Sequence, residues 1–219
     1  MTQQTSSSQS KNVRANIIHR AQELFFQFGA SRVTMEEIAS RLGISKKTLY
    51  KCFANKDELL EAVMEHAHLS IMMLIQPLIT MTFAAKNEEF LQSLSMVGET
   101  IASVISGTAA SPLMSDIERS YPLLWKRVEE RRLTAMKSSL HLILRQGVER
   151  GMFRADMNYD VVVLVYLSAL ETISSAPTLA ALSLTAGEAY LMMIRTLFEG
   201  LFTESGRSIA LQFPLGKKA

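Results

Sequence analysis

With 219 residues, 48% of them hydrophobic, the chain has room for one small domain and one larger one. Its 23 Lys and Arg oppose 21 Asp and Glu, a formal charge of +2, so a strongly basic surface can only be a local feature. One cysteine, Cys52, excludes an intramolecular disulfide and suits a reducing compartment.

Residues 1–10, MTQQTSSSQS, are polar and featureless. They read as a disordered arm, and no apolar h-region follows that would make them a signal peptide. Ile17, Ala21, Leu24, Phe25 and Phe28 then recur at helical spacing as far as Gly29, predicting a helix over about 11–28. Thr34 with Glu37 fits a capping box, Val33 with Ile38 a hydrophobic staple, and Gly43 a left-handed stop. Ser45 caps a second short helix running to about Lys51. Asn55 with Glu58 is a further box, opening a long helix through Leu59, Leu60 and Val63.

Residues 34–53 therefore read as a helix–turn–helix. Ile38, Ala39, Leu42, Ile44, Leu49 and Phe53 are its inward positions, which turns the polar residues of 45–51 outward. Arg32, Arg41, Lys46, Lys47, Lys51 and Lys56 face only Glu36 and Glu37 between Ala30 and Lys56. A local basic face on an exposed helix is the electrostatic footprint of a DNA reader, though a run of lysines is also what an ordinary solvated face looks like. Cys52 reads as a surface or semi-buried thiol, with a redox role as the alternative.

The segment IIHRAQELFFQFGASRVTMEEIASRLGISKKTLYKCFANKDELLEAV resembles the N-terminal domain of TetR-like (TetR/AcrR) transcriptional regulators. The resemblance covers about residues 13–63 and rests on A-x-x-L-F-x-x-x-G, Thr34, Ile38-Ala39, Gly43-Ile44-Ser45, Thr48-Leu49-Tyr50, Phe53 and Lys56. Lys47 stands where the family often has a small residue, and Cys52 where an aromatic or His is common. The resemblance implies that Thr34 and the amides of its helix hold a phosphate. It also implies that Lys46, Lys47 and Thr48 enter the major groove and that Tyr50 and Lys56 clamp the backbone, with Ser45 and Lys51 among the DNA-binding residues.

Downstream, helices are predicted over about 55–80, 87–107, 112–118, 121–150, 158–176 and 186–203. Breaks are expected at Pro77, Gly107–Pro112, Pro122, Gly151 and Ser174–Pro177. The run VVVLVYL at 161–167 looks locally like a buried strand, but no partner strand adjoins it and the apolar pattern continues to Ile173. GMFRADMNYD at 151–160 is similar to the loop before the penultimate helix in many TetR-like proteins. Residues 71–85 are apolar but interrupted by Gln76 and Pro77, and too short to span a bilayer.

The expected organisation is all-α: a disordered arm at 1–10, a DNA-binding domain at 11–56, a helical ligand-binding and dimerisation bundle at 57–205, and a tail at 206–219. The two last predicted helices are apolar around most of their circumference. The resemblance makes them a twofold dimer interface through Val162, Tyr166, Ala169, Ile173, Ala189, Met193, Thr196 and Gly200, although a core confined to one chain would use the same residues. Such a dimer sets two reading helices about one DNA turn, ~34 Å, apart on a palindromic operator.

The resemblance further implies a cavity for a small-molecule effector. The wall material is Met64, His68, Met72, Phe90, Met96, Trp125, Met136 and His141, with the 13 methionines of the chain offering adaptable apolar surface. Few charges interrupt these segments, so an apolar or amphipathic effector is expected, releasing the operator by favouring a DNA-incompetent form. No catalytic residue, metal ligand or cofactor site is assigned, and a cytoplasmic location follows from the absence of a targeting signal. Two other readings stay open. One is a helical metal-dependent enzyme, suggested by the E-x-x-H pair Glu65 and His68 but lacking the second copy such sites need. The other is a helical adaptor that binds no DNA.

Overall fold

Across residues 2–109 and 111–212, which the computed structural model describes, the backbone is helical nearly throughout. In chain order the helices are α1 (Thr2–Phe28), α2 (Met35–Leu42), α3 (Lys46–Cys52), α4 (Lys56–Ala84), α5 (Asn87–Ala109), α6 (Pro112–Ser120), α7 (Pro122–Glu149), α8 (Tyr159–Ile173), α9 (Ala176–Leu182), α10 (Ala186–Leu201) and α11 (Glu204–Ala210). Among the described residues β pairing is limited to an isolated bridge between Phe153 and Phe202.

The local signals explain most helix ends. Thr34 accepts the Glu37 N–H at 3.1 Å, but Glu37 turns its carboxylate to Arg41 at 3.0 Å, so only half of the expected capping box forms. Gly43 takes φ 65° and ψ 26° and closes α2 with its N–H on the Ala39 and Ser40 carbonyls. Asn55 accepts the Glu58 N–H at 2.8 Å, while Glu58 reaches back to the Ala54 N–H at 2.7 Å.

Several boundaries differ from expectation, each for a physical reason. α1 begins at Thr2 and not near residue 11; residues 2–10 contain no Gly or Pro to stop a helix already propagating. Pro77 lies inside α4 and does not break it. The carbonyl that loses its helical donor belongs to Met73, which is 70% exposed and can turn to water. The VVVLVYL run is helical as expected, but its helix stops at Ile173, and the separate α9 follows. α11 takes up the start of the expected tail, residues 206–210, and is begun by Thr203, which accepts the Gly206 N–H at 3.0 Å. Among the described residues three helices therefore follow α8, and the 151–160 loop does not precede a penultimate helix.

The chain forms two compact units, Met1–Ile71 with Ala110–Glu129, and Met72–Ala109 with Glu130–Ala219. The expected boundary at 56/57 is displaced because Leu59, Leu60, Val63 and Met64 of α4 share a core with Ile17, Ala21, Leu24 and Phe25 of α1. Leu113 and Ile117 of α6 enter that same core. In the second unit α10 packs on α5 and α8. An aromatic knot of Phe90, Phe153, Phe198 and Phe202 has ring centroids 5.5 to 6.4 Å apart. Gly147 lies flat beneath the Phe153 ring, which a Cβ there would strike.

α4 is long and apolar enough to cross a membrane by length and composition, contrary to the expectation of an interrupted run. Its first half is nevertheless committed to the core of the first unit.

Candidate nucleic-acid interface

The candidate interface is a two-helix unit, α2 and α3, with a dry inner side and a basic outer side. Ile38, Ala39, Leu49 and Phe53 are buried, and Leu42 and Ile44 half-buried, against α1 and α4. With Leu49 fixed inward, the 3.6-residue period turns Lys46, Lys47, Tyr50 and Lys51 out. All four are exposed, Tyr50 by 45%. An exposed phenol among lysines, on a helix only seven residues long, is unneeded for the core.

Each predicted contact residue has a defined local geometry. Thr34 is exposed, and because its oxygen accepts the Glu37 N–H, its own proton is left to donate outward. Ser45 accepts the Thr48 N–H at 3.1 Å, and the two hydroxyls stand 2.9 Å apart. One proton satisfies that hydroxyl pair, so a second remains for an acceptor outside the helix. Lys47 and Lys51 make no ion pair among the described residues, nor does exposed Arg32.

Lys46 and Lys56 are held differently from the expectation of free contacts. Lys46 pairs with Glu36 across the turn at 3.1 Å, and this contact draws the Glu36 carboxyl below its ordinary pKa. Lys56 is half-buried; burial lowers the pKa of its ammonium, while Asp116 and Asp57 oppose that shift. Cys52 is half-buried against the first-unit core. Sequence reasoning missed one further cation, Arg14, and the ring contact of Arg41. Arg14 stacks over Phe53 with its guanidinium carbon 4.6 Å from the ring centre, and Arg41 covers Phe28 at 5.6 Å. Neither has a spacing signal, because each pairing crosses between helices.

The residues expected to line an effector cavity are divided between the two units. Met64 is buried in the first-unit core, Trp125 packs against it, and His68 is half-buried in the same unit. In the second unit Phe90 is fully buried in the aromatic knot, Met136 packs against its core, Met72 is half-buried and Met96 is exposed. His141 hydrogen-bonds the Asp160 carboxylate at 3.0 Å. Met64 and Phe90 fill core space.

The expected dimer residues are similarly divided. Tyr166 and Ala189 are buried, and the Tyr166 hydroxyl lies 3.2 Å from that of Tyr190 in the core. Val162, Ala169, Ile173 and Met193 are half-buried, and Thr196 and Gly200 exposed. The unpartnered apolar stripe lies one residue round the helix, at Val161, Leu164 and Val165, the middle one 65% exposed. Both faces of α8 are apolar, so periodicity alone could not choose between them. For the E-x-x-H pair, Glu65 is exposed and His68 half-buried. Among the described residues no group of three or more His, Cys, Asp or Glu gathers that could hold a metal ion.

A buried two-helix wedge with a basic outer edge, followed by a larger helical unit, defines the class: the fold of helix–turn–helix regulators. Residues 17–63 match the family model for bacterial regulatory proteins of the tetR family. Over 60 residues the chain is 33% identical to the HTH-type transcriptional regulator TtgR of Pseudomonas putida, a match spanning 27% of this chain and 29% of that one. The chain thus covers under a third of the length of the curated relatives it matches.

Solved structures agree over nearly the whole chain. A TetR-family regulator from Cytophaga hutchinsonii superposes with a TM-score of 0.65 at 15% identity, covering 90% of this chain and 98% of that one. The complex of SmeT with triclosan gives 0.67 at 17% identity, covering 88% and 93%; SmeT is the repressor of the Stenotrophomonas maltophilia efflux pump SmeDEF. At these identities the likeness is one of fold. Residues 17–63 thus match the N-terminal domain of the tetR family, and the chain as a whole shares the fold of solved TetR-family regulators.

Proposed function

We propose that the chain is a transcriptional regulator of the repressor type, binding a palindromic operator as a homodimer and released by an apolar or amphipathic small molecule. The observation that carries this is the exposed edge of α3, where Lys46, Lys47, Tyr50 and Lys51 stand outward on a helix anchored by buried Leu49 and Phe53. Thr34, Ser45 and Thr48 supply hydroxyl donors beside that edge, suited to phosphate oxygens and base acceptors. Lys56, half-buried, serves as a backbone contact from its margin. The cytoplasm, where the operator lies, is the proposed location, and no catalytic role is assigned.

Dimerisation is supported by the exposed stripe of Val161, Leu164 and Val165 with Met192 of α10, an apolar surface in want of a partner. The proposed effector class is supported by the methionine-rich helices of the second unit and by the binding of triclosan to SmeT. The effector acts by binding the DNA-incompetent form more tightly, since equal affinity for both forms shifts nothing. A coupling of ~1–3 kcal/mol weakens operator binding several-fold to over a hundredfold.

Selection of bound duplexes from a random pool tests the DNA reading directly. The expected product is an inverted repeat with half-sites about one turn, ~34 Å, apart. Recovery of no sequence, or of an unpaired half-site bound by a monomer, would refute it. Lys47→Ala and Lys51→Ala are each expected to reduce the salt slope of binding by about 0.9, the signature of one lost phosphate contact.

A further inference from the structure

α6 lies against α1, and two polar contacts fix it there. Ser111, its N-cap, accepts the Leu113 N–H at 3.2 Å and donates to the Phe26 carbonyl at 3.1 Å. Phe26 lies in the last turn of α1, where carbonyls lack helical donors, so α6 caps the helix that precedes the reading head. Farther along α6, Asp116 accepts the Ser31 N–H at 2.9 Å with one carboxylate oxygen. Its other oxygen takes the Arg119 guanidinium at 2.9 Å.

This carboxylate is built in, not incidental. Asp116 is only 8% exposed, while its ion-pair partner Arg119 is largely in solvent. Gly29, opposite it, has φ 84°, and a Cβ there would run into the carboxylate. Glycine is therefore required both by the backbone conformation and by the approach of the acid. Ser31 stands three residues before Thr34, the cap of α2, so Asp116 holds the piece of chain that delivers the helix–turn–helix. A charge this buried costs stability unless its hydrogen bonds are made, and one of those bonds fixes this turn.

We propose that Asp116 is the positioning residue of the reading head: from α6 it fixes the α1–α2 turn and thereby the placement of α2 and α3 on DNA. This rests on the DNA-reading role proposed above, and its test separates the two. The full-length protein and its Asp116→Ala, Asp116→Asn, Asp116→Glu and Arg119→Ala variants are compared by hydrogen exchange over residues 29–34. Binding is measured by anisotropy on the duplex that the unaltered protein selects from a random pool.

Asp116→Ala is expected to lose amide protection at Ser31 and to bind that duplex about tenfold more weakly, while Arg119→Ala matches the unaltered protein. Asp116→Asn, whose amide oxygen can still accept from Ser31, should keep the turn protected and recover most of the affinity. Should Asp116→Ala not fold, Asp116→Glu takes its place; its charge is retained but displaced, and the same loosening and weakening are expected. Unchanged exchange in the disrupting variant, or a loosened turn with unchanged affinity, overturns the proposal. So does an Asn variant that is protected yet as weak as Ala. If the unaltered protein selects no duplex, the DNA reading falls, and exchange at Ser31 still decides whether Asp116 holds the turn.

Discussion

Lys46 stands on the outer edge of α3 yet is engaged with Glu36 at 3.1 Å, an exposed pair on the surface proposed to face DNA. Glu36 competes with phosphate for this cation. Replacing Glu36 with Gln frees Lys46 and removes one repulsive charge, so DNA affinity at low salt should rise about two- to fivefold, with the gain shrinking as salt is added. Titration of labelled duplex across a salt series checks this; unchanged or weaker binding would mean that Glu36 orients Lys46 productively instead. The sequence placed Lys46 on the outer edge of α3 by its spacing from Leu49 and Phe53. It held no sign of the partner, because the stretch between Glu36 and Lys46 includes a left-handed turn whose angle decides the contact.

Among the elements, the turn between α2 and α3 depends most on one residue. Gly43 has φ 65°, and a Cβ there would meet nothing within 4 Å. Gly43→Ala therefore isolates backbone strain from steric conflict and should cost about 1–2 kcal/mol, read as a lowered urea midpoint with an unchanged slope. At the other end of the chain, Thr185 and Glu188 close a complete capping box on α10, with the Glu188 N–H on Thr185 Oγ1 at 3.2 Å and the Thr185 N–H on Glu188 at 2.9 Å. Thr185→Ala should remove about 1 kcal/mol by the same measurement. The half-formed box at Thr34 shows the limit of such motifs: Glu37 finds Arg41 one turn on, a competitor that the four-residue pattern does not weigh.

At the scale of the whole molecule, dimerisation and alkaline stability can both be tested. Leu164→Glu places a charge in the middle of the exposed stripe on α8 and should yield a folded monomer by sedimentation, with operator binding greatly weakened. A variant that remains dimeric would place the interface elsewhere. In the second-unit core, burial raises the Tyr190 phenol well above its ordinary pKa and raises Tyr166 as well, although the hydrogen bond between them opposes the shift at Tyr166. The folded chain thus keeps both protons when the unfolded chain begins to ionise near pH ~10. Their contribution is fully present below that pH and is lost as pH rises through the folded values. The urea midpoint should fall above pH ~10, and less steeply in Tyr190→Phe.

Helix type, the punctuation of residues 34–58 and the outward basic edge of α3 follow from the sequence by itself, since each depends on neighbours within one or two turns. Ser, Thr, Asn and Gly at helix ends act through their own backbone, and Leu49 and Phe53 orient α3 by period alone. Only tertiary structure decided which apolar face of α8 turns inward, because a helix apolar all round gives the period no preferred side. It also decided that Leu113 and Ile117 complete the core of the first unit, and that Asp116 reaches Ser31. Those pairings join residues far apart in the chain, and their stability comes from burial and desolvation that no local pattern records.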